Sequence, residues 1–287
     1  MLLKKSTIQL LRFNFSLFLL PVYLFALSQV PDIESWHAIF IFFLLHFIVY
    51  PASNGYNSYM DRDEDSIGGI KSPLPPTKQL FWISVIMDIL AVGLSLLVSV
   101  WFAVGILAYI LASRAYSYRG IRLKKYPVTG YLTVVIFQGA VTFFLVYHGS
   151  SAEKTLEPPV LGMIVSSLLI GGFYPLTQIY QHQADKRDKV ITISYILGYR
   201  GTFIFTAVIY LFAMSTLFYY FRSISEENKF LIIATAMLPV LVYFLNWARQ
   251  VWKDTIAADY RHTMRMNIIA SSCTNLGFII LLTGRLF

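Results

Sequence analysis

The chain has 287 residues, 57% of them hydrophobic and only 13% charged, with 23 Lys+Arg against 15 Asp+Glu and a net charge of +8. A water-soluble domain carries about 25% charged residues, so the surface of this chain cannot be water-facing throughout and a soluble enzyme is excluded. The basic balance would suit nucleic acid, but the cations stand in short segments between apolar runs, where membrane headgroups are their natural counterpart; no nucleic-acid partner is expected.

Apolar runs of about 20 residues match the thickness of a bilayer. They predict spans at 13–30, 36–56, 80–98, 100–114, 128–148, 159–179, 201–221, 230–252 and 266–285. Backbone in lipid must satisfy its own hydrogen bonds, so each span is read as a helix. The first is too long for a signal peptide, and no small-residue cleavage site precedes Pro31 and Asp32. The apolar stretch from Leu80 to Arg114 exceeds one crossing and is read as a tight helical hairpin turning near Ser99. Cys273 is the single cysteine and lies in the last span, which leaves no disulfide framework and no cysteine metal site. The expected architecture is an all-α polytopic membrane protein of about nine transmembrane helices, forming one domain over 1–287.

With loops assigned to alternate sides, all but Lys154, Arg222, Lys229 and Arg285 of the 23 cations fall on the side of the N-terminus. The positive-inside rule then places the N-terminus and the basic loops in the cytoplasm of a bacterial-type inner membrane.

Two loops on that side are unusually rich in oxygen ligands. After the second span, Asn57, Asp61 and Asp65 follow an i, i+4, i+8 spacing, which is one helical face if the helix runs on past the membrane. Asp63 and Glu64 point elsewhere on that spacing and read as solvated. After the sixth span, Gln181 and Asp185 repeat the i, i+4 spacing. Converging carboxylate and amide oxygens repel one another unless a cation lies between them, and hard oxygen donors suit Mg2+. Between these loops stands a basic, aromatic one with Tyr116, Tyr118, Arg122 and Lys124. Cations beside acidic metal ligands make sense around a more negative group such as a diphosphate. Isolated polar residues within apolar runs, His46, Asp88 and Asn246, are further candidates, and His182 lies inside the second acidic loop. A membrane transporter, or a non-catalytic membrane subunit, is the competing reading. Broken helices and intramembrane charge would favour the transporter, and Asp88 with the break at Ser99 is its only support.

The order of these motifs resembles the UbiA-type family of intramembrane prenyltransferases over essentially the whole chain. The family's first motif, Asn-Asp-x-x-Asp-x-x-x-Asp with a basic-Pro segment, is similar to Asn57-Ser58-x-x-Asp61-x-x-x-Asp65 followed by Lys71-Ser72-Pro73. Its Tyr-Ser and Leu-Lys-Arg-x-Pro loop is similar to Tyr116-Ser117-Tyr118 and Arg122-Leu123-Lys124-Lys125-Tyr126-Pro127. Its second motif, Asp-x-x-x-Asp followed by Thr and Leu-Gly, is similar to Gln181-x-x-x-Asp185 with Thr192 and Leu197-Gly198. Ser58 and Gln181 stand where the family has aspartates, which puts a simple two-Mg2+ arrangement in doubt. The resemblance implies a bundle around a central cavity open to lipid and capped by cytoplasmic loops. It also implies a polyprenyl diphosphate donor and a hydrophobic or aromatic acceptor. Asn57, Asp61, Asp65, Gln181 and Asp185 would hold Mg2+, with Asp61, Asp65 and Asp185 catalytic. Arg122, Lys124, Lys71, Tyr116, Tyr118, Asn57 and Gln181 would contact the substrate.

Overall fold

The computed structural model describes residues 3–62 and 64–284; Asp63 and Arg285, both placed above from sequence, lie outside the described residues. Among the described residues, eight helices are long and apolar enough to cross a membrane, and a bent pair, taken as one span, makes a ninth. In chain order they are α1 Lys5–Gln29, α2 Ser35–Asp61, α3 Lys78–Ser95, α4 Val100–Ser117, α5 Pro127–Ser150, α6 Val160–Arg187, α7 Ile193–Ser223, α8 Glu227–Ala236 with Leu238–Lys253, and α9 Tyr260–Thr283. The nine spans agree with the sequence reading, but several helices run further than the apolar windows. Hydropathy marks the lipid slab, whereas a helix continues until its backbone is capped. So α2 carries on through the polar stretch to Asp61, and α6 through Arg187.

The hairpin at Ser99 is present. Ser99 is extended (φ −172°) and its Oγ accepts from Phe102 N at 2.9 Å, capping α4. The same hydroxyl lies 2.7 Å from His148 Nε2, which ties the turn to α5.

Several helices are interrupted where they border the interior. Arg12 adopts a left-handed conformation (φ 50°) and splits α1 into Lys5–Leu11 and a later segment entered through Phe13–Leu19 in 3-10 form. A π-helical stretch, Leu44–Val49, sits just before Pro51 in α2; proline has no N–H to give the preceding turn. In α7, Gly198 takes φ +66° with ψ 178°, a conformation that glycine adopts without steric cost, and the helix kinks there. The two halves of α8 are bent by 44° around Met237, ahead of Pro239.

Phe25 of α1, Phe143 of α5 and Phe278 of α9 are fully buried, with Phe25 stacked on Phe278 at 4.9 Å and edge-on to Phe143 at 5.4 Å. The three rings belong to one buried hydrophobic cluster that joins these spans. The outer surface carries Trp82, Leu97 and Leu211, at least 60% exposed, as lipid-facing side chains should be.

Candidate active site

The charged end of the bundle opens into a cavity of about 210 Å³. One wall is α2, where Ser53, Asn54, Asn57 and Asp61 recur at helical spacing on a single face. Facing it is α6, with Tyr174, Gln178, Gln181 and Asp185 on one stripe. Between them α4 and α5 contribute Tyr116, Ser117, Thr133 and Phe137, and the connection between them contributes Lys124. Ile67 and Gly68, from the loop after α2, close the cavity over Phe15. A Cβ at Gly68 would come within 2.6 Å of the Phe15 ring, so a larger residue there would push that ring aside.

Charge is concentrated at Asp61, whose side chain is 5% exposed. Lys124 Nζ approaches Asp61 Oδ2 to 2.5 Å, and Arg122 Nη2 lies 3.7 Å from Oδ1. Oδ1 is buried and, among the described residues, has no hydrogen-bond partner. Behind this pair, Asp188 forms an ion pair with Arg122 and lies 3.7 Å from Arg119. Arg119 Nε in turn donates to Met60 O at 2.7 Å, so a cation meets the carbonyl end of α2. The carboxylates, the basic loop and the end of α6 are thereby held as one polar assembly. Asn57 Nδ2 donates to Ser117 Oγ at 3.0 Å, which leaves its Oδ1 as the oxygen available to a ligand.

The structure brings together Asn57, Asp61, Tyr116, Lys124, Gln181 and Asp185, all in the cavity wall. Other expected residues fall elsewhere. Asp65 is not on the face shared by Asn57 and Asp61, because α2 ends at Asp61 and Arg62 turns left-handed (φ 55°). Asp65 instead lines a neighbouring cleft, 54% exposed, and pairs there with Arg187. Lys71 is exposed in the loop beyond it, outside the cavity wall. Tyr118 caps the end of α4 with its side chain 49% exposed and also stands outside. Arg122 acts from behind Asp61 and is not part of the wall. Among the described residues, no three His, Cys, Asp or Glu side chains are clustered to hold a metal ion by themselves.

The isolated polar residues lie outside the cavity wall. Asp88 pairs with Arg114, whose Nε donates to it at 2.7 Å and whose guanidinium lies 3.9 Å from the centre of the Tyr56 ring. Sequence spacing hid this pair, because Arg114 reads as the first cation of a loop yet lies inside α4. His46 Nδ1 bonds to Phe42 O one turn back, Asn246 is on the outer surface, and buried His182 bonds through Nε2 to Ser194 Oγ at 2.8 Å. Ser58 is 3% exposed and absent from the cavity wall, so the missing aspartate at this position removes no charge from the cavity.

Sequence reasoning passed over Arg12, Asn54, Tyr174, Gln178 and Asp188. Asn54 and Gln178 stand one helical turn before Asn57 and Gln181, so extending each polar stripe backward into the apolar run would have found them. Arg12 had the signal of a lone cation at the edge of a span; its Nη2 donates to Asn54 O at 3.2 Å.

Comparison with known proteins supplies a family. A sequence model described as the UbiA prenyltransferase family matches residues 18–269. Among solved structures, a UbiA homologue from Archaeoglobus fulgidus bound to DMAPP and Mg2+ superposes with a TM-score of 0.70 at 17% identity, covering 97% of this chain and 99% of that one. A UbiA homologue from Aeropyrum pernix K1 gives 0.70 at 15% identity, covering 94% and 98%. A digeranylgeranylglyceryl phosphate synthase structure gives 0.61 at 20% identity, covering 96% and 97%. At such identities these likenesses establish the fold. Among curated proteins, no sequence matches.

Proposed function

Because the chain belongs to the UbiA prenyltransferase family, we propose that it transfers a prenyl group from a polyprenyl diphosphate to an aromatic or lipid-like acceptor within the membrane. The observation that carries this reading is the cavity in which Asp61 and Asp185 share the walls with Lys124, whose Nζ is 2.5 Å from Asp61. Carboxylates and a cation converging on one polar hollow suit a ligand that brings its own metal and its own negative charge.

The residues present fit Mg2+. Their donors are all oxygen, Asp61 Oδ1 has no hydrogen-bond partner among the described residues, and Asn57 and Gln181 add neutral oxygens. Mg2+ is held by one or two carboxylates plus substrate phosphates and keeps several waters, so a preformed three-acid cage is not needed. The A. fulgidus homologue, which shares the fold, was solved with DMAPP and Mg2+. When bound, Mg2+ draws charge from the diphosphate oxygens and makes the diphosphate a better leaving group.

Asp61 and Asp185 would anchor the diphosphate end from opposite walls. Lys124, released from Asp61 by the incoming ligand, and Arg122 would neutralise charge that grows as the bond between the prenyl C1 and oxygen breaks with its electron pair. The acceptor supplies the pair for the new bond to C1, and its proton passes to the released diphosphate. The faces of Tyr116, Tyr174 and Phe137, which line the cavity beside the carboxylates, would stabilise the allylic cation between these events. The charged face is assigned to the cytoplasm on the asymmetry of Lys and Arg.

The test is to incubate membranes carrying the protein with labelled prenyl diphosphates and a panel of acceptors, with Mg2+ or with EDTA. Labelled product is expected only with Mg2+, and adding Mg2+ back should restore it. Transfer that survives EDTA, or no transfer to any acceptor, overturns the reading.

A further inference from the structure

The part of α6 that carries Gln181 and Asp185 has little to hold it from within. After Gln178 the helix tightens into a 3-10 turn, Ile179–Gln181, and resumes as the six-residue helix His182–Arg187. An isolated helix shorter than about 12–15 residues is marginal, so contacts with the rest of the fold must fix this one. Its far end is tied through Asp188, which pairs with Arg122. Of its own side chains only that of His182 is buried, and it is 5% exposed. The imidazole stacks on Tyr199 with centroids 4.7 Å apart and meets Tyr195 edge-on at 5.6 Å.

The polar edge of the ring is held as well. His182 Nε2 lies 2.8 Å from Ser194 Oγ, which is 3.0 Å from Thr202 Oγ1, and all three residues are buried. Thr202 has one hydroxyl proton, and its shorter carbonyl partner is Gly198 O at 2.7 Å, against 3.2 Å to Ser194 O. With that proton given to Gly198, the chain runs from His182 Nε2–H to Ser194 Oγ and from Ser194 O–H to Thr202 Oγ1, one proton to each link. It ends on the glycine whose positive φ kinks α7. Stacking alone would let the ring slide over Tyr199, whereas the hydrogen bond sets where it stops.

Resting on the prenyl-transfer reading, we propose that His182 is a positioning residue. It fixes the short helix against the kinked start of α7 and so holds Asp185, one turn further on, in the cavity wall for the Mg2+ of the diphosphate. A residue that worked on the acceptor's proton would have to reach the cavity, but His182 is turned into the contact with α7 and stands outside the wall.

The experiment uses the full-length protein in detergent and reads two quantities. One is hydrogen exchange of the amides of residues 182–188 without metal; the other is the Mg2+ needed to bind a non-hydrolysable geranyl thiolodiphosphate. Ser194→Ala removes the partner and leaves the ring. His182→Phe keeps the stacking without the donor, and His182→Gln keeps an N–H. Ser194→Ala and His182→Phe should both speed the exchange and raise the Mg2+ requirement by about 10-fold or more, as loss of a group that orients a metal-holding side chain does. His182→Gln should recover much of both, and the double variant should be no worse than either single one, because both cut the same link. An unchanged Mg2+ requirement in Ser194→Ala overturns the proposal, even if its unfolding temperature falls. So does a loss of transfer in His182→Phe that Ser194→Ala does not share. A wild type that binds no thiolodiphosphate, while the variants still exchange faster, would defeat the prenyl-transfer reading and leave the anchoring of the short helix standing.

Discussion

Asp61 and Asp65 belong to one sequence motif, four residues apart, yet they occupy different worlds. Asp61 ends α2 inside the cavity, 5% exposed and beside two cations. Asp65 lies on the rim of the next cleft, 54% exposed, with Arg187 as its ion-pair partner. What separates them is backbone geometry: the left-handed turn at Arg62 stops the helix that would have carried both on one face. Equal spacing in sequence thus becomes unequal burial, and burial decides what a carboxylate is worth. A charge at a dry site interacts several times more strongly than one in water.

That contrast is open to direct attack. The largest effect is expected from Asp61→Ala and Asp185→Ala, each lowering prenyl transfer by more than about 100-fold, as loss of a group that organises transition-state charge does. Circular dichroism and unfolding temperature should show both variants folded. Full turnover in either would remove the cavity from the chemistry. A smaller loss is expected from Asp65→Asn or Arg187→Gln, since an exposed ion pair contributes about 0–1 kcal/mol, or up to about fivefold. If Asp65→Asn proves as damaging as Asp61→Ala, the loop after α2 must carry Asp65 inward when substrate binds, and the contrast belongs to the ligand-free protein only. The smallest change should come from restoring the family's aspartates. Gln181→Asp adds a carboxylate to the cavity wall and should lower the Mg2+ concentration for half-maximal rate severalfold. Ser58→Asp, buried outside the wall, should leave that concentration unchanged and lower the unfolding temperature by burying an unpaired charge. Identical Mg2+ titrations for the two variants would contradict the assignment of their surroundings.

The helices were legible because lipid imposes a length and a hydropathy that few other environments do. Much of the cavity was legible too, since Asn57 and Asp61, or Gln181 and Asp185, stay on one face wherever the helix persists. The failures share a cause, which is that spacing has no knowledge of where a helix stops. Asp65 was credited to a helix that ends at Asp61, and Arg114 to a loop that begins only after Ser117. Gln178 was hidden for the converse reason. It stands in an apolar run where hydropathy averages it away, and only the neighbouring helices reveal that it lines the cavity.

The ring of Phe25 touches Phe143 of α5 and Phe278 of α9, so it fastens three spans at once. Cutting it back to alanine would leave a void that all three border, at a cost of about 3–5 kcal/mol, and that loss would fall on how the helices sit together and leave the polar groups around Asp61 in place.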